Sequence, residues 1–290
     1  MFHTKKISFE NTCDVVQLNL YNNRKIPPDV PMCIYIDHEK YTYDCRVDLG
    51  GDDTILDKYK YNGKYIMVKS GDIEGDIQVI EALGDARSKH IVPHQLKTYK
   101  SDDIIIMDCY DGDILKLSNK KRNLTIKTFN NILIQIIDVI QFLLDHGIYY
   151  TDIKSENFLY KMKDNPEEIE VVLCDLAGAS YLDDHQKYCT TYPSYKNKDS
   201  GGIINDPTEN DLVWCIGMII LNLCGISTTK YDYRNISNLN KTWLVRHIQN
   251  YMKKNKKLKQ YNDIIYKVIT HDAEKQPTLK DIHEWLVNTC

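Results

Sequence analysis

The feature that most constrains this sequence is a set of polar residues inside an apolar frame between Tyr150 and Leu159. The set begins at Asp152, with a lysine two residues later (Lys154) and an asparagine five residues later (Asn157). The frame follows a segment with helical periodicity, so we expect the set on a turn between a helix and a strand. Each residue alone fits an ordinary solvated turn. The ordered set points to chemistry.

A second aspartate, Asp175, comes eighteen residues after Asn157, at the end of the apolar run Val171-Val172-Leu173-Cys174. Phosphoryl transfer requires one carboxylate to orient a hydroxyl, a lysine near the moving group, and an asparagine and an aspartate to hold magnesium. The offsets resemble the catalytic loop and the metal-binding aspartate of protein kinases. The resemblance covers roughly residues 45–288 and is most similar in style to divergent small kinases of large DNA viruses.

The resemblance implies a role for each member of the set. Asp152 would be the catalytic base, Lys154 would neutralise charge on the phosphoryl group, and Asn157 and Asp175 would hold the metal. The histidine and arginine that the family has before the catalytic aspartate are Tyr150 and Thr151 here. Losing that arginine removes the usual anchor of a phosphorylated activation loop, so activity is not expected to require such phosphorylation.

The segment after Asp175 departs from the family's D-F-G, because Leu176 and Ala177 take the second and third positions and Gly178 follows one residue late. Leu176 keeps an apolar plug. A methyl group at Ala177 restricts the backbone but need not move the carboxylate of Asp175.

Lys69 ends a run, Ile66-Met67-Val68, that resembles the strand whose lysine grips the nucleotide phosphates. The apolar register of the next helix puts Asp76 as its partner, one methylene shorter than the family's glutamate. Glu74 and Glu81 are the alternatives if that register is shifted, and a surface lysine at a strand end is the plain reading. Met67 stands where the family has alanine over the adenine and crowds the roof of that pocket.

The phosphate-binding loop is the weakest match, since Gly50 and Gly51 keep only part of the glycine pattern and two acids follow them. An acidic hairpin turn explains this segment equally well. The connector resembles a kinase hinge more closely. There Met107 would be the gatekeeper, Asp108 and Tyr110 would meet adenine through their backbones, Asp113 would reach the ribose, and Leu159 would floor the pocket.

Further segments match the family in part. Residues 191–199 resemble its substrate-positioning segment, with Asp199 in place of a glutamate whose arginine partner is replaced by Gln276. Leu212 replaces an aspartate that braces the catalytic loop, and Asp211 lies beside it. The basic run 253–259 fits a solvated loop, and a docking patch for an acidic partner is the alternative.

The resemblance implies an α+β fold of two lobes, a small strand-rich N-lobe and a larger, mainly helical C-lobe. Residues 1–40 are expected as an extension packed on the N-lobe, 41–108 as the N-lobe, and 109–290 as the hinge and C-lobe. Periodicity predicts strands at 33–48, 66–69, 91–92 and 104–107, and helices over 73–83, 128–146, 212–224, 243–252, 261–270 and 279–287.

Composition sets broad limits on the chain. Its 290 residues are 42 % hydrophobic and 27 % charged, as in ordinary globular proteins, and its net charge of −4 favours neither nucleic acid nor membrane. No apolar segment follows the first residues, so we expect an intracellular protein, cytoplasmic or nuclear, inside a host cell if the chain is viral. The nine scattered cysteines favour a reducing compartment with free thiols.

The function that follows from the resemblance is a Ser/Thr protein kinase that uses ATP and Mg²⁺ and acts on a protein substrate. A pseudokinase that binds a partner through the same fold is the first alternative, motivated by the poor glycine loop, Met67 and Ala177. A kinase-fold phosphotransferase for small molecules is the second alternative, and the segment 191–199 argues for a protein substrate instead.

Overall fold

The computed structural model describes residues 7–10, 31–47, 54–86, 88–120, 124–165, 167–181, 188–189, 203–204, 207–224, 261, 264, 267–268 and 276–289. The chain divides into two compact units. The first is Met1–Ile77 with Val92–Cys109, and the second is Gln78–Ile91 with Tyr110–Cys290.

The described part of the first unit is built on an antiparallel sheet of seven strands, in the order β1-β2-β3-β4-β5-β7-β6. Alternate side chains of these strands are buried, among them Tyr59, Ile66 and Val68, as the period of two in a strand requires. In chain order the strands are β1 (Ile7–Glu10), β2 (Cys33–Ile36), β3 (Glu39–Val47), β4 (Thr54–Tyr61), β5 (Lys64–Gly71), β6 (His94–Tyr99) and β7 (Asp102–Asp108).

Two tight turns set the register of the central strands. Asp37 and His38, between β2 and β3, have φ values of 49° and 71°, and Asn62 and Gly63, between β4 and β5, have 45° and 78°. Positive φ at both central residues gives a two-residue hairpin the twist of its strands, and an Asn-Gly pair adopts it at low cost. The second turn therefore sets the position of Lys69 along β5.

The strands predicted over 66–69 and 104–107 are confirmed, and β2 and β3 lie within the stretch predicted over 33–48. The strand predicted at 91–92 is wrong, because among the described residues Ile91 forms only one isolated parallel bridge, to Leu173. Strands β1, β4 and β6 were not predicted. Both β1 and β2 fall within residues 1–40 and pair into the sheet.

The helix predicted over 73–83 is confirmed as α1 (Glu74–Leu83). Glu74 and Asp76 lie in its first turn, where carboxylates interact favourably with the positive end of the helix dipole. The chain passes from the first unit to the second within this helix. Val79 and Leu83, near its end, belong to the buried core of the second unit.

The second unit carries the remaining helices together with several short strand pairs. The pairs among the described residues are β8 with β10, β10 with β11, β9 with β12, and β13 with β14. In chain order the elements are β8 (Gly112–Asp113), α2 (Ile114–Lys120), α3 (Ile126–Asp145), β9 (Ile148–Tyr150), a 3₁₀ turn (Ser155–Asn157), β10 (Phe158–Met162), β11 (Ile169–Leu173), β12 (Ala179–Tyr181), β13 (Tyr188–Cys189), β14 (Ile203–Ile204), α4 (Glu209–Leu223) and α5 (Leu279–Asn288).

Helix α3 is the central helix of this core. It begins where the Thr125 side chain accepts a hydrogen bond from the Thr128 backbone and ends before Gly147, whose φ is 73°. Its length and composition would suit a membrane span, but 61 % of its most apolar window is buried inside the protein. Gln135, midway along it, donates to Ile169 O at 2.8 Å and accepts from Val171 N at 2.9 Å. The helix therefore packs on β11 as a core helix.

The helices predicted over 128–146, 212–224 and 279–287 are confirmed as α3, α4 and α5. Helix α4 is buried continuously from Asp211 to Leu223, which explains its nearly unbroken apolar sequence. Asp211 and Asp281 close capping boxes with Thr208 and Thr278 at the starts of α4 and α5. The helix predicted over 243–252 lies outside the described residues, as does most of the one predicted over 261–270.

Among the described residues, most cysteines are free thiols, as expected, but the expectation fails at Cys33. Cys33 is disulfide-bonded, which the scattered spacing did not indicate. The free thiols among the described residues are Cys45, Cys109, Cys174, Cys215 and Cys224.

Candidate active site

The polar loop after β9 and the segment after β11 are held together by the strands that flank them. The loop leaves β9 at Tyr150 and passes through the 3₁₀ turn into β10, which pairs with β11. Cys174 N, just after β11, donates to Asn157 O at 3.0 Å. The segment from Asp175 to Gly178 then leads into β12, which pairs back onto β9. Two segments distant in sequence thus become neighbours.

Three residues of the predicted set meet within the loop. Lys154 Nζ donates to Asp152 Oδ2 at 2.7 Å, and Asn157 Nδ2 donates to the same oxygen at 3.1 Å. Asn157 Nδ2 also donates to the backbone oxygen of Asp152 at 2.9 Å. The side chains of Asp152 and Lys154 remain 17 % and 26 % exposed, so the carboxylate is oriented and still accessible.

Three carboxylates lie near enough to Lys154 to affect its pKa. Burial disfavours the charge of this lysine, but Asp152, Asp175 and Glu156 outweigh burial and raise the pKa of Lys154 above its ordinary value. The ammonium group therefore stays charged at neutral pH and can face an anionic group.

Tyr150 and Thr151 take the places of the histidine and arginine expected from the family. Tyr150 is fully buried and its hydroxyl accepts a hydrogen bond from Asn157 Nδ2 at 2.7 Å. Burial, followed by the charges of Asp152 and Asp175, raises the pKa of Tyr150 well above 10. Thr151 N donates to Gly178 O at 3.2 Å. These neutral groups contact the residues on which the chemistry would depend.

Gly178 fits closely behind Asp152. A Cβ atom added to this glycine would lie 2.5 Å from the Asp152 Cβ and 3.5 Å from its Cα. Ala177, by contrast, is exposed. The glycine that stands one residue late in the sequence is therefore the one that packs against the loop.

In the first unit, Lys69 and Asp76 form the ion pair expected from the helix register, with Lys69 Nζ 2.7 Å from Asp76 Oδ2. Their side chains are 10 % and 3 % exposed, whereas Glu74 and Glu81, the two alternatives, are exposed. Lys69 is thus a buried, paired lysine rather than a surface lysine at a strand end. Met67, two residues earlier, lies directly opposite Met107 of β7.

The residues expected at a hinge lie around the change from the first unit to the second. Met107 is buried in β7 and Asp108 is exposed at its end. Tyr110 is half-buried. Asp113 Oδ1 accepts from Lys116 N at 2.7 Å at the start of α2, and the same residue lies opposite Leu159 of β10.

Gln276 stands where the family has a charged residue of a structural ion pair, and Asp211 lies beside the position of the family's bracing aspartate. Gln276 is buried, and its Nε2 donates to Val268 O at 3.1 Å and Asn210 O at 3.3 Å, so it bonds to backbone. Asp211 Oδ2 accepts from the backbone and the hydroxyl of Thr208, both at 2.9 Å, as part of a helix cap.

One further contact with the loop was not predicted from the sequence. Asn222, near the end of α4, donates from Nδ2 to the Ser155 hydroxyl at 3.1 Å, and both residues are almost fully buried. The two lie 67 positions apart, and no short motif joins them. Gly50 and Gly51, the segment 191–199 and the basic run 253–259 lie outside the described residues.

The side-chain atoms available as metal ligands determine which metal ion the site fits. Among the described residues, no group of three or more His, Cys, Asp or Glu side chains could hold a metal ion. Mg²⁺ in nucleotide sites uses one or two protein oxygens and takes the rest from phosphates and water. Asn157 and Asp175 supply oxygens of that kind, so they fit magnesium bound together with a nucleotide.

Comparison with known proteins agrees with this geometry. A family model described as protein kinase domain matches residues 60–286. Serine/threonine-protein kinase ksp1 of Schizosaccharomyces pombe is 26 % identical over 159 residues, which are 51 % of this chain and 33 % of that protein. CDPK-related kinase 5 of Arabidopsis thaliana is 23 % identical over 172 residues, 53 % of this chain and 26 % of that protein.

A viral protein is similar to the chain as well. Serine/threonine-protein kinase 1 of Lymantria dispar multicapsid nuclear polyhedrosis virus is 27 % identical over 135 residues, 46 % of this chain and 45 % of that protein. The chain thus spans less than half the length of each of these three relatives.

Proposed function

Because the chain belongs to the protein kinase domain family, which its sequence matches over residues 60–286, we propose that it is a Ser/Thr protein kinase. It transfers the γ-phosphoryl group of ATP to hydroxyl groups of a protein substrate. The observation that carries the proposal is the Asp152 carboxylate, oriented by Lys154 at 2.7 Å and by Asn157 at 3.1 Å and still accessible.

The chemistry follows from this arrangement. The substrate hydroxyl oxygen attacks the γ-phosphorus, the bond from that phosphorus to the bridging oxygen breaks, and ADP leaves. Asp152 orients the hydroxyl and takes its proton. Lys154 offers a fixed positive charge to the oxygens of the moving group, which a preorganised site stabilises better than water does.

Asn157 and Asp175 are the residues that would hold Mg²⁺ beside the phosphates. When bound, the metal neutralises charge that develops on the phosphate oxygens. Lys69, whose Nζ is held by Asp76 Oδ2 at 2.7 Å, is assigned to the α and β phosphates. Gly50 and Gly51 are assigned to the loop over them.

In this proposal the chain forms the two lobes of a kinase. The N-lobe comprises residues 41–108 with residues 1–40 packed on it, and the hinge and C-lobe comprise residues 109–290. Met107 is the gatekeeper, and the backbones of Asp108 and Tyr110 bind adenine. Leu159 forms the floor of the adenine pocket, and Asp113 binds the ribose. The same proposal places the protein inside a cell, which is a host cell if the chain is viral. It also assigns the basic run 253–259 to an acidic partner.

The second candidate function is a pseudokinase that binds a partner protein. Two observations favour it. Met67 is placed opposite Met107, which puts two bulky side chains at the expected adenine pocket. Gln276 bonds to backbone carbonyls at the position where the family has a charged member of a structural ion pair.

The two candidates are separated by phosphate transfer from labelled ATP with Mg²⁺ to generic proteins and to the chain itself. The wild type is expected to transfer phosphate, and Lys69→Met is expected to abolish transfer while the far-ultraviolet circular dichroism spectrum stays unchanged. Full activity in Lys69→Met overturns the assignment of Lys69 to the phosphates. No transfer by folded wild type favours the pseudokinase.

A further inference from the structure

A buried hydroxyl group lies against the side chain of Asn157. Tyr150 has 0 % exposure, and Asn157 Nδ2 donates to its hydroxyl oxygen at 2.7 Å. Within the part of the chain that the structure describes, this is the hydroxyl's one hydrogen-bond contact. A buried hydroxyl without a hydrogen bond is costly. The contact between the two side chains is therefore favourable for both.

Three oxygens hold the nitrogen end of the Asn157 amide. They are the Tyr150 hydroxyl at 2.7 Å, Asp152 O at 2.9 Å and Asp152 Oδ2 at 3.1 Å. The amide is planar, with nitrogen and oxygen on opposite sides of its carbon, so fixing Nδ2 also fixes Oδ1. No hydrogen bond to Oδ1 occurs among the described residues, which leaves this oxygen as the free ligand atom of the side chain.

The tyrosine hydroxyl lies on a different structural element from the other two acceptors. Both of the others belong to Asp152, whose carboxylate also holds Lys154. Tyr150 instead ends β9, which is paired with β12 through Ala179. Its hydroxyl therefore anchors the amide to a paired strand and not to the loop that carries the reacting groups.

We infer that Tyr150 is a positioning residue, which holds the Asn157 amide so that Oδ1 faces a divalent cation bound with the nucleotide. The inference rests on the metal site of the proposed function and deepens it. Tyr150 touches neither substrate nor metal and acts through Asn157. In this chain the tyrosine that replaces the family's histidine thus orients a metal ligand.

The first test is the Mg²⁺ dependence of phosphate transfer by Tyr150→Phe, which keeps the ring and removes the hydroxyl. The Mg²⁺ concentration for half-maximal activity is expected to rise about fivefold, the effect of one lost neutral hydrogen bond. The rate at saturating Mg²⁺ is expected to fall less. Tyr160→Phe is the matched control, because Tyr160 is buried in β10 and makes no side-chain hydrogen bond among the described residues.

The second test needs no catalysis. ATP should raise the melting temperature more with Mn²⁺ than without it, and Tyr150→Phe should reduce this metal-dependent part. In an Asn157→Ala background the hydroxyl has no amide to position, so adding Tyr150→Phe should leave the metal-dependent part of the stabilisation unchanged, whatever it does to the melting temperature without metal. Should Tyr150→Phe not fold, Tyr150→His also lacks the hydroxyl and is expected to show the same raised metal requirement.

The outcomes separate this inference from the proposed function. Metal-dependent stabilisation without phosphate transfer contradicts the enzyme but leaves the role of Tyr150 measurable by melting. An unchanged metal requirement in Tyr150→Phe overturns the inference. The inference is also overturned if Tyr150→Phe still reduces the metal-dependent stabilisation in the Asn157→Ala background, or if metal adds no stabilisation to the wild type.

Discussion

Gly178 lies so close to Asp152 that a Cβ atom on the glycine would stand 2.5 Å from the Cβ of the aspartate. The contact involves atoms close to the backbone on both sides, so no side-chain rotation can relieve it. The distance between the loop that carries Asp152 and the segment that carries Asp175 thus depends on the absence of one methyl group.

The first prediction is that Gly178→Ala lowers kcat about 100-fold, because a shift of about 1 Å in a reacting group has an effect of that size. Ala177→Gly, at the neighbouring exposed position, is the matched control and should retain activity. Both variants are assayed for phosphate transfer at saturating ATP. Wild-type kcat in a folded Gly178→Ala protein would show that the close approach is not needed.

The second prediction concerns the buried ion pair of Lys69 and Asp76. Asp76→Asn leaves the lysine charge buried without its partner and should lower the free energy of unfolding by about 3 kcal/mol, as measured by urea denaturation. Glu81→Gln, on the exposed side of the same helix, should change it by less than about 0.5 kcal/mol. Equal effects of the two substitutions would contradict the pairing.

A double substitution refines this test. Lys69→Met with Asp76→Leu removes both charges and fills the space with apolar atoms, which is often neutral or stabilising. We expect the double variant to be more stable than Asp76→Asn and to be inactive. Stability below that of Asp76→Asn would show that the loss comes from packing and not from the unpaired charge.

The third prediction tests the contact between Asn222 and Ser155. Asn222→Leu removes the buried donor to the Ser155 hydroxyl and should lower the free energy of unfolding by roughly 1–3 kcal/mol. Combined with Ser155→Ala, the two changes should show a coupling energy of at least about 0.5 kcal/mol. Asn288→Leu, at an exposed position of α5, is the control. Strict additivity would rule out the contact.

The fourth prediction concerns pH. Burial lowers the pKa of His90 below its ordinary value of 6.5, although the Val171 carbonyl and Asp138 oppose this shift. Asp138 Oδ2 lies 3.7 Å from His90 Nε2, too far for a hydrogen bond, so burial prevails. Below pH 6.5 the unfolded chain therefore binds a proton that the folded protein does not.

It follows that the free energy of unfolding falls as the pH drops from 6.5 toward the lower pKa of the folded protein, by at most about 1.4 kcal/mol per pH unit from this group. His90→Gln should make this decline shallower, while His146→Gln, at an exposed position, should not. Urea denaturation between pH 8 and pH 5 measures the slopes. The same slope for His90→Gln and wild type would exclude His90 as the group responsible.

The sequence allowed prediction of those features that depend on short spacings. The offsets of Lys154 and Asn157 from Asp152 span a single loop, and the pairing of Lys69 with Asp76 follows from one strand end and one helix register. In the structure Lys154 and Asn157 both contact Asp152, and Lys69 pairs with Asp76. The Asn62-Gly63 turn was also readable, since that dipeptide is a strong hairpin signal, and it would have predicted β4.

The remaining features depend on contacts between distant parts of the chain. Gly178 meets Asp152 only because β12 pairs with β9, and Asn222 meets Ser155 only because α4 packs in the same core. A late glycine or an asparagine in an apolar helix looks like a deviation when considered alone. Only the pairing of strands and the packing of helices show what each one contacts.

The most direct test of the proposed kinase activity is phosphate transfer from labelled ATP with Mg²⁺ by the wild type, by Asp152→Asn and by Asp164→Asn, an exposed aspartate outside the loop. Asparagine has nearly the size of aspartate but cannot take the substrate proton. If Asp152 is the catalytic base, the wild type and Asp164→Asn transfer phosphate and Asp152→Asn does not. Equal transfer by Asp152→Asn and wild type would contradict this role.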